Sequence, residues 1–230
     1  MITVVLAESS LHFIPDRYHK DPSVSRLSKK RKKNPGSMLM DLSELRSLGF
    51  RGKVGEKEGR PDIVHRTLLS VTDSPLFLMG RVRLYVHTIE DRLFKVKEGV
   101  RPPRSYRRFV GLMEQLLSRG SVGPSEAPLI FEVNSNLSEV ISGEVLLLHE
   151  EGDLIDPIGL ISSIGRDYSI IVGAFPHGDF REEIASLASR RVTLFKGTLS
   201  SSAAISMMLA YAYYVEMWDA KTKGKGEENC

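Results

Sequence analysis

Nearly uninterrupted apolar runs alternate along the chain with segments in which apolar positions recur at helical spacing. Such short runs are typical of strands that are buried on both faces of a sheet. The period-two pattern from Arg81 to Val96, interrupted at 88–91, instead predicts a β-hairpin. The apolar runs predict strands at Ile2–Ala7, Leu129–Val133, Val145–His149, Tyr168–Val172 and Val192–Phe195.

Residues that start or stop helices bound the amphipathic segments. Pro61 is suited to a first helical position, and Asp73-Ser74-Pro75 ends the helix that it opens. Ser105 is suited to cap a helix that runs to Gly120. Further helices are predicted at Asp41–Leu48, Ser138–Ser142, Pro157–Ile164, Asp179–Arg190 and Ala203–Trp218. This alternation favours an α/β fold with a mostly parallel sheet and helices on both faces.

Three segments lack such periodicity. Glu8 to Leu39 is predicted to be irregular, and it includes a basic loop at 16–37. Six basic residues and no acid lie between Arg26 and Lys33 of that loop. A run of this kind is either a solvated loop or a contact to RNA phosphates. The charged segment Phe50–Gly59 is expected to be a mobile loop, and Gly120–Pro128 to be a linker.

The last third of the chain has the organisation of a ligand site. Two predicted strands end in loops that contain Gly173, Gly178 and Gly197, and parallel strands bind ligands at their carboxyl ends. A P-loop is excluded because Asp179 stands where lysine is required, and no G-x-G-x-x-G motif occurs. The loops therefore suit a nucleoside-like ligand without a pyrophosphate.

Composition adds limits to this picture. The 230 residues carry a net charge of only +3, so the clustering of charge says more than its total. The single cysteine, Cys230, excludes a disulfide framework and a cysteine-rich zinc site. The N-terminus lacks the features of a signal peptide, and Ala203–Trp218 is too short to span a membrane. A soluble, cytoplasmic protein is expected.

Arginines cluster around the start of the helix that follows Ser105. Guanidinium groups make planar contacts to phosphates and base edges, whereas a helix N-terminus disfavours cations. We therefore expect an anionic partner at this cluster. Tyr106 either stacks on a base or packs in the core, and Asp62 could simply complement its helix dipole. The clustered residues are Arg60, Arg101, Arg104, Arg107 and Arg108.

Several motifs resemble one family over residues 6 to about 205. They are L-A-E-S-S-L, G-R-P-D-I-V-H, D-S-P at 73–75, Y-V-H-T, R-P-P-R-S-Y-R-R-F-V-G-L-M-E-Q-L-L and G-A-F-P-H-G-D-F. The chain thereby resembles the archaeal and eukaryotic ribosome-biogenesis methyltransferases that modify N1 of a pseudouridine in small-subunit rRNA. That family belongs to the SPOUT, or α/β-knot, class. Residues 16–37 match none of its motifs.

The resemblance implies a single domain over 1–230 with a C-terminal trefoil knot and a cofactor region at about 145–218. It implies that S-adenosyl-L-methionine binds between the loops after Leu148, around Gly173 to Gly178, and at 194–199. The implied cofactor residues are Gly173, Gly178, Leu194, Phe195, Lys196, Gly197, Thr198 and Leu199. The implied RNA-binding residues are Arg60, Asp62, Arg101, Arg104 and Arg108, with Asp62 pairing with Arg60.

The sequence is compatible with three functions. The first is methylation of N1 of a pseudouridine, the second is methylation of another acceptor such as a ribose 2′-hydroxyl, and the third is assembly through RNA binding alone. No general base is identified, because spacing favours neither Asp73 nor Asp91 and solvent is an alternative. Small-subunit rRNA is the expected partner, besides other assembly factors or ribosomal proteins. The apolar helix Ala203–Trp218 predicts a homodimer, since one sheet covers only one of its faces.

Overall fold

The strands of the computed structural model, which describes residues 1–227 and the side chains of 1–218, form one eight-stranded sheet. Cys230 lies outside the described residues. In chain order the strands are β1 Ile2–Ser9, β2 Val82–Thr88, β3 Leu93–Val96, β4 Ser121–Val122, β5 Ile130–Glu132, β6 Glu144–Leu154, β7 Tyr168–Gly173 and β8 Arg190–Thr193. Their spatial order is β4-β5-β3-β2-β1-β7-β6-β8. The pairs from β2 to β8 are parallel, and those from β4 to β2 are antiparallel. The hairpin of β2 with β3 is as predicted, whereas β4 lies within the segment predicted to be a linker.

Most helices follow the predicted boundaries. Pro61 is the first residue of its helix, and Gly120 ends another in the left-handed conformation. Ser105 occupies the cap position of that second helix but makes no capping hydrogen bond through its side chain. The helices are α1 Pro22–Arg31, α2 Leu42–Ser47, α3 Pro61–Thr72, α4 Pro75–Leu78, α5 Tyr106–Arg119, α6 Leu137–Val140, α7 Pro157–Ser163, α8 Glu182–Ala185 and α9 Ser201–Glu227.

Both faces of the central strands are buried, which explains why their sequences are almost entirely apolar. On β1, Val4 and Leu6 face a large core covered by α3, α5, α7 and α9. Val5 and Ala7 face a smaller core that includes residues of α6 and α8. Burial of each valine or leucine among them contributes about 1.5–3 kcal/mol relative to an exposed side chain. The α/β architecture with helices on both faces is therefore confirmed.

The predicted irregularity of Glu8 to Leu39 is wrong. Residues 22–31 form α1, with the Asp21 carboxylate accepting the backbone N–H of Ser23 at its start. Short 3-10 helices lie at Asp16–Tyr18 and Pro35–Ser37, so residues 16–37 are not a loop. α1 and α2 enclose a third apolar cluster that includes Leu27 and Phe50. Phe50–Gly59 contains no regular element, as predicted, and its mobility stays a prediction.

Several elements in the last third have bounds that differ from the prediction, including α9, which begins at Ser201 and runs to Glu227. The helix predicted over Asp179–Arg190 is only the single turn of α8, and Arg190 already belongs to β8. β8 ends at Thr193, two residues before the predicted end. β6 is longer than predicted and lies between β7 and β8, so those two strands are not direct neighbours. The trefoil knot stays a prediction.

None of the helices that the structure describes is long and apolar enough to cross a membrane. The carboxyl ends of β1, β2, β6, β7 and β8 lie at one edge of the sheet, because these strands are parallel neighbours. The predicted cofactor loops begin at this edge. Arg60 lies beside it, because its backbone N–H donates to Ser10, the residue after β1.

Candidate functional site

A cleft opens at this edge, between β6, β7, β8 and the loops that follow them. Both apolar and polar groups line it, together with glycine backbone, which is the mixture that a nucleoside joined to an amino acid requires. Its lining residues on the first two loops are Leu148, His149, Glu150, Val172, Gly173, Phe175, Gly178 and Phe180. Those on the third strand, its loop and α9 are Val192, Thr193, Leu194, Gly197, Leu199, Ser201 and Ala204.

Glycine is required at particular points of this cleft. A Cβ atom on Gly173 would lie 2.8 Å from Cε1 of Phe175 and 3.1 Å from Cζ of Phe180. Gly178 has a φ of +87°, which other residues rarely adopt, and Gly197 has a φ of +148°. The glycines therefore keep the walls open and leave backbone groups accessible to a ligand. This arrangement fits S-adenosyl-L-methionine.

The structure brings together five of the eight predicted cofactor residues. Gly173, Gly178, Leu194, Gly197 and Leu199 all line the cleft. The other three lie in the loop at 194–199 but do not line the cleft. They are Phe195, whose side chain is exposed, Lys196, and Thr198, whose hydroxyl donates to Oε2 of Glu150 at 2.8 Å. Cofactor binding by any of the eight residues stays a prediction.

Sequence reasoning missed the aromatic and polar walls of the cleft. The rings of Phe175 and Phe180 meet edge to face, with centroids 5.3 Å apart. His149 Nε2 lies 2.9 Å from Oδ1 of Asp179, and this hydrogen bond holds the pKa of Asp179 below its usual value. The two phenylalanines within one glycine-containing loop were the available signal. His177 of the same loop is exposed and does not line the cleft.

Arg60 and Asp62 form the predicted pair. Arg60 donates from Nε to Oδ1 of Asp62 at 2.8 Å and from Nη2 to Oδ2 at 2.9 Å, a bidentate arrangement that fixes the guanidinium plane. Arg66 donates to the same carboxylate at 3.1 Å. Burial raises the pKa of Asp62, but the hydrogen bond from Arg60 and the two positive charges outweigh it, so the pKa lies below its ordinary value. The carboxylate is therefore charged at neutral pH.

The other clustered arginines lie at the start of α5. Arg104 is 78% exposed and donates to Asp73 at 3.1 Å, while Arg101 and Arg108 are exposed. Tyr106 packs against the large core and donates its hydroxyl to Oδ2 of Asp41 at 2.6 Å. Burial first, and then this hydrogen bond, raise the pKa of Tyr106. The packing interpretation of Tyr106 is confirmed.

The basic run of residues 26–33 is partly explained by ion pairs. Arg31 donates to Glu44 and, at 3.0 Å, to Glu114, while Lys33 donates to Glu114 at 2.5 Å. The Glu114 side chain is only 5% exposed and lies on α5. These pairs therefore hold α1 against α2 and α5. Lys29, by contrast, is exposed, and an RNA contact from this run stays a prediction.

The arginine region comprises Arg60, Arg101, Arg104 and Arg108, and Arg60 brings it beside the cleft. The backbone N–H of Arg60 donates to the Ser10 hydroxyl at 2.9 Å. The backbone N–H of Ser10 donates in turn to the carbonyl of Ala174 at 2.9 Å, between two cleft residues. Two hydrogen bonds thus connect Arg60 to the wall of the cleft. In the part of the chain that the structure describes, no group of three or more His, Cys, Asp or Glu side chains could hold a metal ion.

Comparisons with known proteins agree with this geometry. Residues 4–212 match the family described as EMG1/NEP1 methyltransferase. The chain is 36% identical over 220 residues to the ribosomal RNA small subunit methyltransferase Nep1 of Staphylothermus marinus, a match that covers 93% of this chain and 96% of that protein. With the same enzyme of Thermococcus kodakarensis the identity is 33% over 214 residues, covering 91% and 96%.

A solved structure is also similar. The crystal structure of Archaeoglobus fulgidus Nep1 bound to S-adenosylhomocysteine superposes with a TM-score of 0.83 at 34% identity. The match covers 94% of this chain and 98% of that one.

Proposed function

Since the chain belongs to the EMG1/NEP1 methyltransferase family, we propose that it transfers a methyl group from S-adenosyl-L-methionine to N1 of a pseudouridine in small-subunit rRNA. It is a methyltransferase of small-subunit rRNA that uses S-adenosyl-L-methionine, and the proposal adds the acceptor atom. The observation that supports it best is the connection of Arg60 to the cleft wall through Ser10, because an RNA held by Arg60 would lie beside the cofactor.

S-adenosyl-L-methionine supplies an activated methyl group when it is bound. The glycine loops at Gly173, Gly178 and Gly197 would hold it by backbone contacts, with Phe175 and Phe180 excluding water. Methyl transfer is an in-line displacement, so positioning of the acceptor supplies much of the acceleration. The protein's part is therefore to hold the nucleotide in place.

The arginine region would position the RNA. Asp62 holds Arg60 in one orientation through two hydrogen bonds, so less side-chain freedom is lost when a phosphate or base edge binds. Arg101, Arg104 and Arg108 present exposed charges on and just before α5. We propose that these four arginines bind rRNA.

An RNA hairpin with a single modified position tests the acceptor. N1 of uridine carries the glycosidic bond, whereas N1 of pseudouridine bears a proton that a methyl group can replace. We expect methyl incorporation into the pseudouridine hairpin and none into the uridine hairpin. Radiolabelled S-adenosyl-L-methionine and mass spectrometry of the nucleosides provide the measurement.

A third hairpin separates the alternatives. Pseudouridine that already carries a 2′-O-methyl group should still accept a methyl group at N1. Loss of incorporation into this hairpin, together with incorporation into the uridine hairpin, would establish the ribose 2′-hydroxyl as acceptor instead. Tight binding of every hairpin without any methylation would favour an assembly role alone.

We also propose that the protein is a homodimer. α9 buries Ile205, Met208 and Leu209 against the large core, but Tyr214 remains 50% exposed and Trp218 57% exposed. Their rings stack with centroids 6.0 Å apart, at 19° to each other. An aromatic surface of this kind on a helix favours burial against a second protein surface. A second copy of this chain is the simplest partner.

Light scattering checks the dimer. We expect a mass near twice 25.7 kDa at micromolar concentration. Tyr214→Glu should lower this mass to that of the monomer, because it places a charge in the aromatic surface. Gln115→Glu adds the same charge at an exposed position of α5 and should leave the dimer intact. A wild-type mass near 25.7 kDa would contradict the proposal.

The substrate indicates where the protein acts. Because the substrate is ribosomal RNA, we infer a cytoplasmic location and expect contacts with ribosomal proteins or other assembly factors during ribosome biogenesis.

A further inference from the structure

A buried carboxylate lies between the cofactor cleft and the arginine region. Glu8 stands at the carboxyl end of β1, where the pairing with β2 shifts register between Leu6 and Ser9. Its φ is 47°, which is uncommon for a residue other than glycine, and its side chain is 1% exposed. A buried charge is costly unless it is paired, so its partners indicate what it does.

One partner belongs to the cofactor loop. Arg181 donates from Nε to Oε1 of Glu8 at 2.6 Å and from its backbone N–H to Oε2 at 3.2 Å. Arg181 directly follows Phe180, which lines the cleft. The hydrogen bond from Arg181 to Asp91, at 2.9 Å, raises the pKa of Arg181 and anchors the guanidinium on its other side. Glu8 thus holds the end of the loop at 174–181, which follows β7 and lines the cleft.

The other partner belongs to the segment that leads to Arg60. Lys57 donates from Nζ to Oε2 of Glu8 at 2.8 Å. The same ammonium lies 4.7 Å from the ring centroid of Phe175, a cation–π contact with the wall of the cleft. Lys57 precedes Arg60 by three residues, so it connects the segment that leads to Arg60 with the loop after β7, to which Phe175 belongs.

A neutral histidine completes the surroundings of Glu8. The backbone N–H of Glu8 donates to Nδ1 of His87 at 3.3 Å, so Nδ1 carries no proton and Nε2 donates to Asp91 at 3.2 Å. Burial lowers the pKa of His87, and the hydrogen bond from Arg181 lowers that of Asp91. The negative charges of Glu8 and Asp91 are therefore balanced by the positive charges of Lys57 and Arg181.

We propose that Glu8 is a positioning residue that couples the two ligand sites through Lys57 and Arg181. One carboxylate holds the segment that ends at Arg60 and the loop that lines the cleft in a single arrangement. Because both segments share this carboxylate, a ligand that restrains one of them would also restrain the other, so the second ligand would bind to a site with less freedom left to lose. S-adenosyl-L-methionine and substrate RNA are therefore expected to bind with positive cooperativity. This inference rests on the proposed function and adds the coupling between its sites.

The coupling is measured with S-adenosylhomocysteine, which binds without reacting, and the pseudouridine hairpin. The hairpin affinity of wild-type protein should rise roughly 5- to 30-fold when S-adenosylhomocysteine saturates the cleft, and the reciprocal effect should be equal. Lys57→Met removes the ammonium but keeps an apolar chain beside Phe175. In this variant we expect a coupling factor close to one. Each ligand measured alone should bind within about threefold of wild type, a change of about 0.7 kcal/mol or less.

Controls separate positioning from general damage. Lys53→Met makes the same change at an exposed position of the same segment and should keep the wild-type coupling. Lys57→Arg retains the cation and should restore the coupling. Glu8→Gln should lose the coupling as Lys57→Met does, and its thermal melt shows whether it is folded; if it is not, Lys57→Met alone decides the proposal.

Three outcomes would overturn the inference. The first is an unchanged coupling factor in folded Lys57→Met, and the second is a wild-type factor of one although both ligands bind. The third is binding of neither ligand by the wild type, which would overturn the proposed function together with the inference. Methyl transfer with a coupling factor of one would leave the proposed function intact and remove only the role of Glu8.

Discussion

Replacing Gly173 with valine is expected to weaken S-adenosyl-L-methionine binding by roughly 30-fold or more, about 2 kcal/mol. A Cβ atom at this position would approach the rings of Phe175 and Phe180, and the valine methyl groups would occupy the cleft between them. Gly173 is better suited to this test than Gly178, whose φ of +87° would strain any other residue. Calorimetry with S-adenosylhomocysteine and with S-adenosyl-L-methionine provides the affinities.

Gly165→Val is the matched control for this experiment. Gly165 is exposed after α7, and a Cβ atom there would meet nothing within 4 Å. This variant should bind the cofactor as wild type does. Undiminished affinity in a folded Gly173→Val protein would show that the cleft is not the cofactor site.

Removal of Asp62 is expected to weaken RNA binding although Asp62 itself bears the wrong charge for RNA. Asp62→Ala frees the guanidinium of Arg60, and we expect a loss of roughly tenfold, about 1.4 kcal/mol. Arg60→Ala should cost at least as much, and the double variant should cost little more than Arg60→Ala alone. Directly interacting residues show such non-additivity. Affinity for the pseudouridine hairpin, measured for both single variants and the double variant, provides the test.

Salt dependence and controls sharpen this second experiment. Loss of one phosphate contact should flatten the dependence of log affinity on log salt by about one unit. Arg104→Ala should lower the affinity equally in either background, because its partner is Asp73. Arg166→Ala removes an arginine just before β7, at the opposite edge of the sheet, and should change nothing. Additive losses for Arg60 and Asp62 would contradict the pairing. Asp62 would then only stabilise the start of α3 through its interaction with the helix dipole, worth about 0.3–1 kcal/mol.

The central sheet could be predicted from the sequence because its burial is almost complete. Strands such as β1 and β7 pack apolar residues on both faces, so their sequences are apolar almost throughout, with Thr3 and Ser169 among the buried exceptions. Pro61 and Gly120 mark helix boundaries by backbone constraints that act locally. Elements whose bounds depend on burial or on a single constrained residue can therefore be predicted from the sequence.

α1 could not be predicted in the same way. Only Val24 and Leu27 are apolar within it, and its charges resemble those of a solvated loop. Its position depends on Glu114, which lies 83 residues from Arg31 along the chain. A pairing at that distance leaves no periodic trace in the sequence. Asp21 followed by Pro22 was the one local sign of a helix start.

The candidate site was predicted in part. Glycines and arginines are conspicuous in a sequence, but the pairing of Arg60 with Asp62 was implied only by the resemblance, because the residues alone also allowed Asp62 a role at the helix dipole. Glu8 was not singled out, since a lone acid after a strand has many ordinary explanations. Its importance emerges only when Lys57 and Arg181 are seen to converge on it.

The place of β1 in the sheet has a consequence for protein synthesis. β1 is synthesised before both of its neighbours, β2 and β7, and Ile2 pairs with Tyr168. The N-terminal ammonium itself binds the Asp167 carboxylate at 2.7 Å. At about 5–20 residues per second, the first strand waits roughly 10–30 s for its second neighbour to be made. An enzyme that modifies ribosomal RNA thus completes its own core only when most of it has emerged from a finished ribosome.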